Sequence, residues 1–201
     1  MTIVKHFKKE DYTVSSWSGG KTIQLAIAPG DAVYADRDFL WRLSSATVEL
    51  EESDFTALPD YNRWITPLKG DMVLSHNEGP EIDLQPYQVH AFDGADRTHS
   101  RGCCTDFNLM LRKGRCGGLI EELSPASGTC FVPRAEAETL LLYCSEGSVN
   151  AAFGGNVYLL QEGESLLIER GPANEKEKAL PEIETEFHPG GRVMAAQMWR
   201  V

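Results

Sequence analysis

Nowhere does the chain offer the run of about 18 apolar residues that a membrane-crossing helix requires. Positive charge is also scarce: 19 Lys and Arg stand against 30 Asp and Glu, a net charge of −11 over 201 residues. Such a surface repels a phosphate backbone, so no nucleic-acid partner is expected. The first residues, MTIVKHFKKEDYTV, carry charges where a secretory leader would be apolar, and the expected location is the cytoplasm. The five cysteines, Cys103, Cys104, Cys116, Cys130 and Cys144, are odd in number and form no CxxC pair. Adjacent Cys103 and Cys104 would point to opposite faces of a strand. Reduced thiols packed as small apolar groups are therefore expected, and no redox or metal centre.

Catalytic signatures are missing as well. No GxSxG elbow is present, and Ser44 has no histidine partner evident in the sequence. Gly19-Gly20-Lys21-Thr22 resembles the end of a phosphate loop, but its first glycine is absent and it opens a strand. Helical periodicity is weak, with short candidates only at 8–12 and 133–138.

What the sequence does contain is strands. Apolar or alternating stretches recur at 22–28, 41–50, 63–68, 71–75, 82–92, 106–112, 139–145, 148–152, 156–160, 165–169 and 192–200, separated by Gly, Pro, Asn and Asp. Two of them carry polar groups on a period of two. Arg42, Ser44, Ala46 and Val48 share one face of the first. In the second, Asp106, Asn108 and Arg112 oppose an apolar face of Phe107, Leu109 and Leu111. A plain core strand has no use for those groups, so the pattern predicts a barrel with a polar lumen.

A faint repeat points the same way. Gly70 and Gly147 are 77 positions apart, as are Pro86 and Gly163, so that Gly70 to Pro86 and Gly147 to Gly163 each enclose a short strand pair and are each followed by a buried strand. This is the punctuation of cupin-type double-stranded β-helices. The expectation is an all-β bicupin with an N-terminal unit over 1–120 and a C-terminal unit over 121–201. The charged segment 171–191, bounded by Pro and Gly, is expected to be an exposed connection.

Several motifs in order strengthen this reading: WSGGKT from Trp17, FLWRLSSATVE from Phe39, DFTALPDYNR from Asp54, LKGDMVL from Leu68 and TDFNLMLRKG from Thr105. In sequence and spacing over 17–115 they resemble the HutD/Ves family, and over 116–201 only the general cupin pattern continues. Ser18 replaces the family's usual Asn, and Pro59-Asp60 its Pro-Gly. The resemblance implies a bicupin fold and an association with histidine utilisation or stress responses, without an assigned reaction.

Metal-binding cupins place two histidines one residue apart on a strand. His6, His76, His90, His99 and His188 include no such pair. His90 and His99, turned together at Asp93-Gly94 with Asp96, make at best an accidental site, so neither metal nor cofactor is expected. The candidate ligand-binding residues are Trp17, Trp41, Arg42, Ser44, Arg63, Asp106 and Asn108. Arg42 either offers its planar fork to a carboxylate or forms a salt bridge to Asp106. Arg63 is a second carboxylate contact or, the favoured alternative, a bridge to Asp54 or Asp60. Asp106 and Asn108 read a ligand's N–H groups or satisfy the backbone. Trp17 stacks on a planar ligand or, more in keeping with its size, plugs the barrel base. The predicted function is metal-free binding of a small anionic metabolite, with a metal-independent isomerase or lyase using Asp106 as base as the alternative. Homodimerisation through the apolar last strand is a further expectation.

Overall fold

Antiparallel strands build every layer of this computed structural model, which describes residues 2–171 and 179–201. Among the described residues there is no α-helix, only three short 3-10 turns at Lys9–Asp11, Tyr34–Asp36 and Pro125–Ser127. The first lies within the helical candidate at 8–12, and the candidate at 133–138 holds only a turn. The chain divides into two compact units, residues 13–117 with Val201 and residues 1–12 with 118–200.

In the 13–117 unit a six-stranded sheet runs in the spatial order Thr13–Trp17, Gly20–Ala28, Trp41–Val48, Cys104–Arg112, Tyr61–Gly70, His90–Asp93. A four-stranded sheet runs Glu52–Asp54, Thr98–Arg101, Met72–His76, Ile82–Leu84. One apolar cluster joins them: Val48, Ile65 and Cys104 from the larger sheet meet Met72, Leu74 and Leu84 from the smaller. Each such side chain, withdrawn fully from water, contributes about 1.5–3 kcal/mol. A second cluster of Ile27, Phe39, Leu58, Tyr61 and Met110 anchors the loop between Ala28 and Trp41.

The other unit repeats the plan. Thr2–Phe7, Ser165–Arg170, Thr139–Glu146, Arg192–Arg200 and Cys116–Leu123 form a five-stranded sheet. Cys130–Phe131, Ile183–Phe187, Ser148–Phe153 and Asn156–Gln161 form a four-stranded one. Leu140, Leu142, Leu166 and Ile168 pack with Val149, Ala151, Leu160 and Ile183 between them. None of the four sheets closes on itself, so the lumen expected from the sequence is the space between two open sheets.

Three sequence expectations are corrected. The stretch 82–92 is two strands, because the turn at 85–89 holds Tyr87 at a left-handed φ of 67°. The connection 171–191 contains a strand, Ile183–Phe187, whose alternation buries Ile183 and Thr185; positions 172–178 of it lie outside the described residues. The last strand is internal to its sheet, with a neighbour on each side. Its hydrogen-bonding edges are occupied, so it offers no edge for pairing with a second copy.

Candidate functional site

Register brings the polar positions together. Cys104–Arg112 lies between two antiparallel neighbours, pairing Met110 with Arg42 on one side and with Arg63 on the other. Side chains on one face alternate, so Arg42, Met110 and Arg63 form a row across the sheet and Ser44, Asn108 and Ile65 the next. The two arginine backbones are thus two strand spacings apart, about 10 Å.

Asp106 marks an irregularity in that ladder. Pairing with Tyr61–Gly70 shifts register between Thr105 and Asp106. The backbone groups released nearby are taken up by side chains. Ala46 N–H donates to the Asp106 carboxylate at 3.1 Å, and the Ser45 hydroxyl donates to the Asp106 carbonyl at 2.6 Å. Asp106 is therefore aimed inward from a bulge, as bulges re-aim side chains near sites.

A cavity of about 340 Å³ opens over this face. Of the sequence candidates, Trp17, Arg42, Ser44, Arg63, Asp106 and Asn108 line it, and Thr22 joins them. Trp41 does not: it points to the opposite face with Leu43 and Leu109, because odd positions of its strand turn away from Arg42. Trp17 is 41 % exposed at the rim of the cavity and plugs no barrel base. A Cβ on Gly19 would collide with its indole ring, so glycine there leaves the ring its place.

The two arginines differ in how they are held. Arg42 donates from Nε to Gln24 at 2.9 Å and from Nη1 to Ser44 at 3.1 Å, and its guanidinium lies 4.2 Å from the centre of the Tyr34 ring. No ion pair joins it to Asp106. Arg63 has no bridge to Asp54, which bonds to His99 instead, nor to Asp60. Its guanidinium packs against the neighbouring rings of Phe55 at 4.7 Å and Phe92 at 5.1 Å, and its buried Nε has no partner. Among the described residues only three buried side-chain atoms lack a partner, and two of them, Arg63 Nε and Asn108 Oδ1, belong to residues of this cavity.

Burial governs the charges. Desolvation pushes the Asp106 carboxyl up to about 7, against the pull of the Ala46 N–H and of Arg63 and Arg42. Desolvation also lowers Arg63 to about 10, which leaves it charged at neutral pH. Arg42 is lowered by burial too. Two buried cations thus face one buried carboxyl whose ionisation burial opposes, while a second carboxylate, Asp54, lines the exposed side of the cavity.

Sequence reasoning missed three contributors. Tyr34, from the loop after Gly20–Ala28, packs its ring on Arg42 and Arg37. Phe55 packs its ring against Arg63, and Gln24 orients Arg42. Only Phe55 had a signal, its place in the DFTALPDYNR motif; Tyr34 opens a single 3-10 turn too short to show a period, and Gln24 is adjacent to a bulge between Gln24 and Ala26. The histidines also pair otherwise than the sequence suggested. His90 meets His76 at 2.9 Å, and His99 lies with Asp54. No group of three His, Cys, Asp or Glu among the described residues stands close enough to hold a metal ion.

The HutD family model matches residues 9–185. The conserved protein of unknown function PA5104 from Pseudomonas aeruginosa PAO1 superposes with a TM-score of 0.81 at 25 % identity, covering 98 % of this chain and 99 % of that one. HutD from Pseudomonas fluorescens SBW25, solved in a formate condition, superposes with a TM-score of 0.77 at 25 % identity, covering 99 % and 100 %. A cupin 2 conserved barrel domain protein from Leptotrichia buccalis shares the fold, with a TM-score of 0.57 at 10 % identity over 98 % and 96 %. A search of curated protein sequences finds no match.

Proposed function

The chain belongs to the HutD family, and on that premise we propose that it is a metal-free binding protein for a small anionic, nitrogen-containing metabolite. The observation that carries this reading is the unpaired Arg63. A buried guanidinium without an acceptor costs stability, and a ligand carboxylate is the group that would repay it. Arg63 would take the carboxylate, with Arg42 adding charge from across Met110. Asn108 Oδ1, the other unpartnered atom among the cavity residues, would accept an N–H from the ligand's nitrogen end. Ser44 and Asp106 flank that end, and Trp17 would cover a planar portion from the rim.

Intermediates of histidine breakdown such as urocanate or formiminoglutamate have both ends. Holding one of them in the cytoplasm would limit histidine utilisation by sequestration. In this reading the two units are two cupin-like halves, and the ligand belongs to the one spanning 13–117.

One observation favours a second reading, a metal-independent isomerase or lyase. Asp106 is buried, carries no arginine partner, and has its carboxyl raised to about 7, the range in which a general base operates best. Thermal-shift and calorimetric titration with urocanate, formiminoglutamate and their methyl esters tests binding. Stabilisation by the acids but not the esters is expected; no stabilisation at millimolar concentration sinks the proposal. Following the same mixtures by proton NMR decides between the readings, since conversion of the ligand would make the protein an enzyme.

A further inference from the structure

Behind Arg63, on the side away from Arg42, two histidines meet in an unusual way. His76 ends the inward row of Met72–His76, and His90 and Phe92 are the half-buried positions of His90–Asp93, alternating with exposed Ala91 and Asp93. Their Nε2 atoms are 2.9 Å apart. The ring planes differ by 19° and the centroids are 5.1 Å apart, close to the length of that contact plus a ring radius at each end. The imidazoles therefore meet nose to nose and not face to face. A metal ion between them in line would hold the nitrogens about 4 Å apart, twice a metal–imidazole bond. The gap fits a proton.

The tautomers follow from the neighbours. The Thr98 hydroxyl is 3.4 Å from the Asp96 carbonyl, to which it donates, so at 2.9 Å it accepts from His76 Nδ1–H. His76 Nε2 then bears a lone pair, and His90 must present Nε2–H to it. The next proton goes to His90 Nδ1, giving an imidazolium that donates to neutral His76. A further one would set two N–H groups against each other at 2.9 Å and would break the contact.

Phe92 lies between this pair and the cavity. Its ring is 4.8 Å from His76 and 5.8 Å from His90, and Arg63 lies 5.1 Å from its centre. We infer that His76 and His90 form a single-proton acceptor that couples to the anion site through Phe92 and Arg63, so that a proton on the pair and an anion on Arg63 favour each other. This rests on the binding reading of the cavity. The charged groups facing the pair are Asp96, ahead of Thr98–Arg101, which favours the imidazolium, and Arg63, which opposes it. Neutralising Arg63 with an anion removes that opposition. Burial holds both rings below the ordinary histidine value, so the pair is neutral at pH 7 and gains its proton on acidification. Asp106 titrates higher, near 7.

Two measurements separate the pair from the cavity. In the ligand-free protein, a nitrogen-15 NMR titration of the histidine rings should show one ring of the pair gaining charge below pH 6.5 while the other stays neutral at least one unit further. Two independent titrations near the ordinary value overturn the shared proton. Sodium formate then serves as the anion probe, titrated by calorimetry at pH 7.5 and 5.5 in the Asp106→Asn background, which removes the competing carboxyl. Affinity should rise on the order of tenfold at the lower pH, the effect of one unit charge about 10 Å away at an effective dielectric near 20. His76→Gln combined with His90→Gln, which keeps donors but leaves no ring to titrate, should abolish that rise, and His76→Gln combined with His90→Phe should do the same if the first double variant fails to fold. An unchanged rise in either variant overturns the coupling. Absence of formate binding at both pH values overturns the coupling and the cavity reading together, while the ligand-free titration still judges the pair.

Discussion

Arg42 and Arg63 face one cavity from either side of Met110, yet only Arg42 is tied to the protein by hydrogen bonds. Its partners, Gln24 and Ser44, fix its guanidinium, and Tyr34 covers one face. Arg63 has two phenyl rings and no acceptor. From the sequence, Arg42 is a carboxylate contact or a partner of Asp106, and Arg63 a second contact or, the favoured alternative, a bridge to Asp54 or Asp60. The structure braces Arg42 and leaves Arg63 Nε without an acceptor.

That difference predicts opposite mutational outcomes. Arg63→Met removes a buried, unpaired charge, so the ligand-free protein should be at least as stable as wild type in urea denaturation. The same variant should lose all stabilisation by carboxylates. Arg42→Met strands Gln24 Oε1 and should cost about 1–3 kcal/mol without ligand. If Arg63→Met still responds to the acids, Arg63 is not the carboxylate contact.

Asp106 sets a pH dependence. An unfolded aspartate ionises near 3.9, whereas the folded carboxyl holds its proton to about 7. Between those values the folded chain binds the extra proton, so this group's contribution makes stability fall as pH rises through the window and level off above it. Asp106→Asn should remove that slope and exceed wild type at pH 8 by up to a few kcal/mol, with little difference at pH 4. Urea denaturation at pH 4, 6 and 8 measures it; parallel curves for the two proteins would refute the buried, raised carboxyl.

Ser45 is a test of the bulge. Its hydroxyl donates to the Asp106 carbonyl at 2.6 Å from a buried position. Ser45→Ala leaves that carbonyl without its donor, and should cost about 1–3 kcal/mol. Because Ser45 points away from the cavity, bound-state contacts are untouched, and carboxylate affinity should stay within about twofold once stability is allowed for. A large affinity loss with intact stability would contradict this geometry.

Gly19 and Trp17 report on the rim. A methyl group on Gly19 runs into the indole, which is exposed enough to swing aside. Gly19→Ala should therefore change tryptophan emission and weaken binding of planar urocanate more than of aliphatic acids, with little effect on melting temperature. Trp17→Phe identifies how much of the signal is its own among the four tryptophans. Equal affinities for both ligand types in the alanine variant would remove Trp17 from the site.

Much of this was legible because strand periodicity is a local rule. Arg42, Ser44, Asp106 and Asn108 share faces for the same reason in the sequence as in the structure: successive side chains alternate. That rule also turns Trp41 away from Arg42, although Trp41 was counted among the ligand contacts. The short polar strands Glu52–Asp54 and Thr98–Arg101 left no signal, since each is held by its neighbours and shows too few positions for a period. Thr13–Trp17 is exposed along its whole length and so has no buried face to read. The connection at 171–191 hid a strand because charges alternate with the two residues, Ile183 and Thr185, that it buries.

By itself the sequence determined the all-β class, the two polar strand faces and the residues that could pair with an anion, since composition and alternation depend on neighbours along the chain. Which of those residues are satisfied was decided by tertiary structure alone. Register placed Met110 between the arginines, a bulge turned Asp106 inward, and loop and strand residues from elsewhere occupied Arg42 while leaving Arg63 bare. The meeting of His76 with His90, fourteen residues apart and on different sheets, follows from the same cause. Hydrogen-bond satisfaction and desolvation are properties of the assembled surroundings, and no local pattern carries them.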